Sequence, residues 1–389
     1  MDRRGDVFYV QNRYLMMTVA TEIHDDHGAT FEERGGRQVV RDYGRPDRTA
    51  LAVRKGAGVI ERGYGVITVE GDDRIEFVDD TLSNQVPTVD GQGVYALLLD
   101  PNGRIKTDIY VYNADNRLLC LTPPDVAADL AEQWADRVFI KDVRVNVASE
   151  EFAVFGVHGP QSTEKVASVL NGAGAPEPSL TFVRGSMGDE GVTVIAGDNP
   201  LGEESYQVVC SADVADRILE TLLTYGLNGV PFGYQVWNTL AVEAGTPRFN
   251  TELADQIPNV LGIRNALDFE KGCYIGQEIV SKVENRGQPS KRLVGLRLNQ
   301  MAEVDSTVTA DGDAVGTITS VVESPSIETP IALALINFKT TLTDEGDITI
   351  TANDSHPIEA TPTTLPFVEG SATSARIPTY PEPSAETNM

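Results

Sequence analysis

Cysteine, histidine and basic charge are all scarce in this chain. Its 389 residues hold 3 cysteines and 4 histidines, and 31 Lys+Arg stand against 58 Asp+Glu, a formal net charge of −27. Three scattered cysteines, Cys120, Cys210 and Cys273, exclude a disulfide framework and a Cys-based zinc site. Cys120 and Cys210 lie in apolar, strand-like runs and read as core filler. His24 and His27 are close in sequence, yet no Cys or carboxylate motif makes them ligands, and no metal is assigned. The shortage of cations disfavours a broad nucleic-acid surface, since phosphates are held by Lys and Arg. No apolar run is long enough to span a bilayer. No apolar stretch follows Met1, Arg3 and Arg4 as it would in a secretory signal. A cytoplasmic protein is therefore expected. The acid is spread along the chain rather than gathered in a tail. That suits strong brine, where screening falls to about 3 Å at about 1 M salt. A halophilic source is the expectation, and an ordinary acidic cytosolic protein is its alternative.

What is present is a long chain with varied texture. Its length predicts two or three domains. Residues 1–48 read as a lead-in: the start up to Tyr14 is weakly specified, Met16-Met17 looks like a more natural start, and Gly28 to Gly36 is turn-rich. From Ala50 the folded part is expected to begin. Asn102-Gly103 between Gly93–Asp100 and Ile105–Tyr112 predicts a hairpin. Apolar spacing predicts helices over Asp213–Tyr225 and Gly233–Val242. Helices mixed with hairpins argue for an α+β fold over a doubly wound sheet. After Val283, short strands separated by Gly, Asp and Pro predict a small all-β barrel or sandwich. Residues 369–389, rich in Ser, Thr, Pro and Ala, predict a disordered tail.

The stretch Leu267 to Glu278 carries the densest chemistry. A strand-like run (Ala266, Leu267, Phe269) ends in a Lys-Gly turn, and a helix-like run follows from Gln277 to Glu284. Cys273 thus precedes a helix N-terminus and follows Lys271 by two residues, with Lys282 and Arg286 nearby. Those features favour a thiolate. A small buried Cys beside a Gly-rich turn is the plainer alternative. The run Lys271-Gly272-Cys273-Tyr274-x-Gly276-Gln277-Glu278 resembles the signature of the YgfZ family, folate-binding relatives of the glycine-cleavage T-protein (aminomethyltransferase). The likeness continues through Gln256-Ile257-Pro258-Asn259, Arg286-Gly287 and Lys291 to Leu296, and extends from about Thr49 onward. It implies a T-protein-like fold: a folate-binding α+β region over 49–285 in two intertwined subdomains, then an antiparallel β-barrel domain over 286–368. Tetrahydrofolate would sit in a central hole.

The resemblance also implies site residues. Asn102 to Tyr112 is similar to the T-protein run N-G-G-x-x-D-D-x-x-V-Y, with Asp108 on the second acid, the catalytic carboxylate near the folate N5/N10 edge. Arg104 and Thr107 depart from that run. A carboxylate there can stabilise an iminium cation or relay a proton. Val242-Glu243-Ala244-Gly245 resembles the family's L-E-A-G, whose Glu accepts two adjacent N–H groups of the pterin. Arg248 and Phe249 adjoin it. Gly202 to Gln207, including Tyr206, partly resembles G-E-x-G-F-E, but Asp198-Asn199-Pro200 stands where the family has an aromatic. Asn84 and Gln85 match a polar position near the ligand. In YgfZ-type proteins the Cys at 273 is tied to assembly or repair of iron–sulfur enzymes. One thiolate cannot hold a cluster, which takes about four ligands, so redox exchange, partner contact or a one-carbon adduct is the expectation. The leading expectation is a tetrahydrofolate-binding YgfZ-type protein that supports iron–sulfur cluster assembly or repair, with iron–sulfur enzymes or assembly proteins as partners. The alternative is a folate-dependent aminomethyltransferase, served by a lipoyl carrier protein, or a demethylase. A third is a binding module whose ligand has changed. Asp108 favours the enzyme and Cys273 the maintenance factor.

Overall fold

The computed structural model describes residues 18–285, 288–343, 346, 348–351 and 356–381. The Met16 start, Arg286-Gly287 and residues 382–389 lie outside the described residues.

Three sheets carry the fold. A five-stranded antiparallel sheet runs in the order Gly93–Leu99, Ile105–Asn113, Arg117–Thr122, Gly65–Glu70, Arg144–Val147. A seven-stranded sheet has Phe152–His158 and Ser205–Ser211 at its middle, with one parallel pair, Val230–Pro231 on Gly58–Glu61, at an edge. The C-terminal part is a closed six-stranded antiparallel barrel. The α+β fold with a terminal barrel is thus as the sequence predicts. The barrel closes because its strands alternate inward apolar residues: Leu296, Leu298, Ile318, Ala332, Ala334 and Ile336 fill its inside.

Each sheet also gives one face to a shared centre. Tyr95, Leu97, Tyr110 and Tyr112 from the first sheet, Val154, Ile195 and Val209 from the second, and Leu293, Leu333 and Leu335 from the barrel form one buried cluster. The opposite face of the five-stranded sheet is covered by helices that bring Phe77 and Trp134. Period-two alternation along Ile105–Asn113 therefore divides its side chains. Ile109 and Val111 face the helices, whereas Tyr110 and Tyr112 face the shared centre. Asp108 lies on the same side as those tyrosines, which is what puts a carboxylate at the junction of the three sheets.

The expected Asn-Gly hairpin forms between Gly93–Leu99 and Ile105–Asn113. Its turn is also a docking point. Gly103 (φ +73°) and Gly276 (φ +84°) lie against each other's segments, where a Cβ would come 2.9 Å from Ile279 and 2.6 Å from the Asp100 carbonyl. Glycine at both is required by conformation and by space. Helix Gln277–Asn285 is seated on the turn in this way.

Three expectations need correction. No strand forms over Ala266 to Phe269. A 3₁₀ turn, Arg264–Ala266, leads into a loop whose Asp268 carboxylate accepts the Glu270 and Lys271 amides. The fold begins well before Ala50, because a helix Thr21–Asp26 and a hairpin Thr30–Arg34/Arg37–Asp42 are built into it. Buried His24 anchors them through Glu61 at 2.8 Å. Residues 369–381, expected in the disordered tail, form an ordered strap. Composition hid it, because few of its side chains are apolar; Ser374 and Arg376 are nonetheless buried.

Among the described residues no helix is long and apolar enough to cross a membrane. The net charge of −27 has a consequence for stability. Self-repulsion opposes the compact state and salt screens it, so the melting temperature is expected to rise steadily from about 0.1 M to about 2 M KCl. A flat or falling curve in a calorimetric series would show that the acids are already balanced locally.

Candidate active site

A cavity of about 570 Å³ opens where the N-terminal hairpin, the five-stranded sheet, helix Tyr234–Glu243 and barrel strand Asp313–Ser324 meet. Its size suits one drug-sized organic ligand. Aromatic rings form much of the wall: Tyr64, Tyr110, Tyr234, Trp237 and Phe249. Tyr110 packs on Tyr95 at 5.0 Å between centroids and meets Tyr64 edge-on at 6.4 Å.

Asp108 lines this cavity. Its side chain is only 13% exposed. Tyr95 donates to Oδ2 at 3.0 Å, and the Arg376 guanidinium lies 3.5 Å from the same oxygen. Burial pushes the carboxyl above the usual carboxylate range, while Arg376 and the Tyr95 hydroxyl pull against it. Arg376 comes from the strap. Its Nε donates to buried Asp198 at 3.0 Å, and its plane lies 4.4 Å from the Tyr95 centroid.

Three other guanidinium groups line the cavity, those of Arg34, Arg62 and Arg248. Arg62 lies flat on Trp237 at 3.5 Å and near Tyr64 at 4.7 Å, and its buried Nε has no hydrogen-bond partner. Arg248 donates to Asn238 at 2.9 Å and to Ser320 at 2.7 Å, and its Nε lies 3.8 Å from the Glu252 carboxylate. Flat aromatic faces beside the orphaned Arg62 donor fit a planar, polar heterocycle that carries acceptors.

Of the residues expected from sequence, Asp108, Arg248 and Phe249 come together on this cavity. Glu243 does not line it. It is fully buried, with Oε2 accepting from Arg54 Nε and Nη2 at 3.0 and 2.9 Å and Oε1 from Ser324 at 2.6 Å. A carboxylate saturated in that way has no oxygen pair left for a ring. Its role is to tie the helix end to the barrel and to Arg54. Tyr206 is also off the cavity, buried and bonded to Thr163 at 3.0 Å. Asn84 donates to the carbonyls of Tyr95 and Asn265 at 3.0 and 2.9 Å, so it braces the strand bearing Tyr95 from behind.

The Lys271–Glu278 run lies outside the cavity as well. Lys271 reaches away from the cysteine: its Nζ donates to the carbonyls of Asp79 and Asn84 at 2.7 and 2.8 Å and pairs with the Asp79 carboxylate at 2.9 Å. The Lys282 ammonium pairs with Glu278 in the preceding turn. Neither lysine is directed to Cys273 in the way sequence proximity suggests. Gln277 folds back to the Lys271 carbonyl at 3.0 Å, Gly276 meets the hairpin turn, and Tyr274 is buried. Gly272 and Cys273 are left exposed on the bend. Sequence reasoning missed Arg62, Tyr64, Trp237 and Arg376. The first two flank a Gly-rich turn and could have been suspected, but no local pattern marks Arg376.

Comparison with known proteins agrees with this layout. Residues 20–271 match the family described as GCVT N-terminal domain, and residues 291–369 match the glycine cleavage T-protein C-terminal barrel domain. A chloroplastic protein of Arabidopsis thaliana described as a transferase is 28% identical over 312 residues, covering 77% of this chain and 70% of its own. The aminomethyltransferase of Bacillus subtilis is 25% identical over 338 residues (84% and 92%). That of Cutibacterium acnes is 28% identical over 340 residues (83% and 91%). Among solved structures, the glycine cleavage system aminomethyltransferase T from Bartonella henselae is similar with a TM-score of 0.81 at 20% identity, over 92% of this chain and 99% of that one. At that identity the last likeness is one of fold.

Proposed function

This chain belongs to the glycine cleavage T-protein family, and from that membership we propose that it is a folate-dependent one-carbon transferase of the aminomethyltransferase kind. The observation that carries the reading is Asp108: one carboxylate, largely buried, at the wall of an aromatic cavity of ligand size. Tetrahydrofolate supplies a nucleophilic nitrogen that accepts a one-carbon unit. Tyr110, Trp237 and Phe249 would hold its flat ring, and Arg248 with Asn238 would meet its polar edge. Glu243 is not among these residues, since Arg54 and Ser324 hold its oxygens.

The chain's own contribution is electrostatic. As a carboxylate, Asp108 stabilises positive charge that develops beside it, and burial strengthens that interaction relative to water. A pKa above the usual carboxylate range also suits it to take up a proton and return it to a departing amine. The direct test mixes the protein with tetrahydrofolate and a lipoyl carrier bearing an aminomethyl arm, and reads ammonia release. A methylated amine as donor tests the demethylase variant. Absence of turnover with both donors, together with no thermal shift by reduced folate, would end the reading.

A second reading, maintenance of iron–sulfur enzymes, is favoured by one observation. Cys273 is solvent-exposed on a bend held rigid by Lys271, Gly276 and Gln277. An exposed thiol on a firm bend suits contact with a partner better than chemistry in the cavity. Deleting the gene should then lower cluster-enzyme activities, with rescue by wild type but not by Cys273→Ala. The same variant should bind reduced folate as wild type does, because the bend is outside the cavity. Full rescue by Cys273→Ala would remove this reading and leave the first intact.

A further inference from the structure

The strap that follows the barrel crosses the molecule and is fastened on both sides of one residue. Before it, the Ser371 amide donates to Glu203 at 2.7 Å, the Glu204 amide donates to Ser371 at 3.0 Å, and Thr246 donates to Ser374 at 2.7 Å. After it, the Thr379 amide donates to the Gly262 carbonyl at 2.9 Å, and the Tyr380 hydroxyl donates to Val260 at 2.8 Å while accepting the Leu293 amide at 2.7 Å. Gly370 passes so near Gly202 that a Cβ would sit 1.9 Å from that carbonyl. Arg376, between the two sets of fastenings, lies beyond the barrel match, which ends at residue 369.

The guanidinium is clasped by two carboxylates. Nε meets Asp198 at 3.0 Å, Nη1 lies 3.5 Å from Asp108, and Nη2 donates to the Tyr110 hydroxyl. Tyr110 in turn donates to Asp198 at 2.8 Å. The rings of Tyr95 and Tyr110 lie 4.4 and 5.5 Å from the guanidinium carbon. Asp198 stands where the resemblance puts an aromatic, so the loop has an acid and the strap supplies its cation. A flat fork can serve both acids at once, which a lysine's point charge cannot.

We propose that Arg376 is the positioning residue of the reaction carboxylate: anchored by Asp198, it fixes Asp108 through Oδ2 and leaves Oδ1 to the ligand. The proposal rests on Asp108 being the reacting group. Tyr95, also on Oδ2, is the second fixing contact. The groups that act on Asp108 are Tyr95 from the neighbouring strand, its own backbone amide, Asp198 from the 197–204 loop, and Arg376 from the strap, with Tyr110 from its own strand bonded to the last two. Only Arg376 is a cation among them. Without it, burial and the Asp198 charge act on Asp108 opposed only by the Tyr95 hydroxyl and a backbone amide.

The test compares Arg376→Gln, Arg376→Lys and Asp198→Asn in the full chain. The Asp108 carboxyl is followed by ¹³C NMR of aspartate-labelled protein, its resonance assigned by its loss in Asp108→Asn. Arg376→Gln is expected to move the titration of that resonance up by about 1–3 pH units. Asp198→Asn, which removes a like charge and leaves the guanidinium to Asp108, is expected to move it down. Arg376→Lys should give a smaller upward shift. The acid limb of kcat/KM should move in the same directions, with reduced-folate affinity within about threefold of wild type. If Arg376→Gln does not fold, the downward shift in Asp198→Asn and the partial shift in Arg376→Lys still decide the matter. A resonance that titrates as in wild type in the folded variants would overturn the proposal. The NMR arm needs no turnover, so shifts as expected in a protein that transfers nothing would refute the proposed reaction and leave the positioning role standing.

Discussion

Asparagine at position 108 is expected to lower one-carbon turnover by about 10²–10⁴-fold, the span usual for a lost acid–base group. Reduced-folate affinity should change by no more than a few-fold, since an amide of the same shape replaces the carboxyl and the aromatic walls are kept. The stability effect runs the other way. Burial raises the folded-state pKa of Asp108 above its unfolded value of about 3.9. Ionisation therefore opposes folding, and that penalty appears as pH rises through the unfolded value and persists above the folded one. A neutral amide of the same shape escapes it. The variant should melt no lower than wild type at pH 7, and below about pH 3, where the Asp108 carboxyl is protonated in the folded and unfolded chain alike, any advantage should vanish. Loss of activity with retained or increased stability is the signature of a group kept for chemistry. Wild-type turnover in the variant would refute the role of Asp108.

Arg54→Met is expected to cost about 3–5 kcal/mol of folding stability, the usual result of stranding a buried charge. Arg54 is 7% exposed and Glu243 is fully buried. The same guanidinium lies 3.3 Å from Glu203 and donates to the carbonyl of Leu201 at 2.7 Å. Removing it leaves two carboxylates without their cation. Glu243→Gln should lose much less, because an amide still accepts from Ser324 or Arg54. Denaturant titration separates the two. Folate binding provides the contrast: if Glu243 held the ring, Glu243→Gln would lose ligand while keeping stability. The packed geometry predicts the opposite, wild-type binding with a modest loss of stability.

The sequence made the fold legible wherever local signals and tertiary packing agree. The Asn102-Gly103 hairpin, the helices over Ala215–Thr224 and Tyr234–Glu243, and the strands of the barrel follow from turn chemistry and periodicity. Asp108 was legible through its run. Its burial was not, because alternation gives a face but not what covers that face. Glu243 illustrates the limit of motif reasoning. Its neighbours fit the pattern, but its carboxylate is claimed by Arg54, 189 residues earlier in the chain. Lys271 is a similar case, close to Cys273 in sequence but directed to the 79–84 loop. The strap was illegible for a physical reason. A segment poor in apolar side chains is ordered by a few buried polar contacts, and composition counts residues, not partners.

The crossing of the strap bears on how the molecule is made. Tyr110 and Arg376 are 266 positions apart. A ribosome threads out the tyrosine bed, both acids and the whole barrel before the cation that joins them. The nascent chain thus holds Asp108 and Asp198 without the guanidinium between them until the strap emerges. Any truncation after the barrel would release a protein with its sheets complete and with Asp108 and Asp198 lacking their cation.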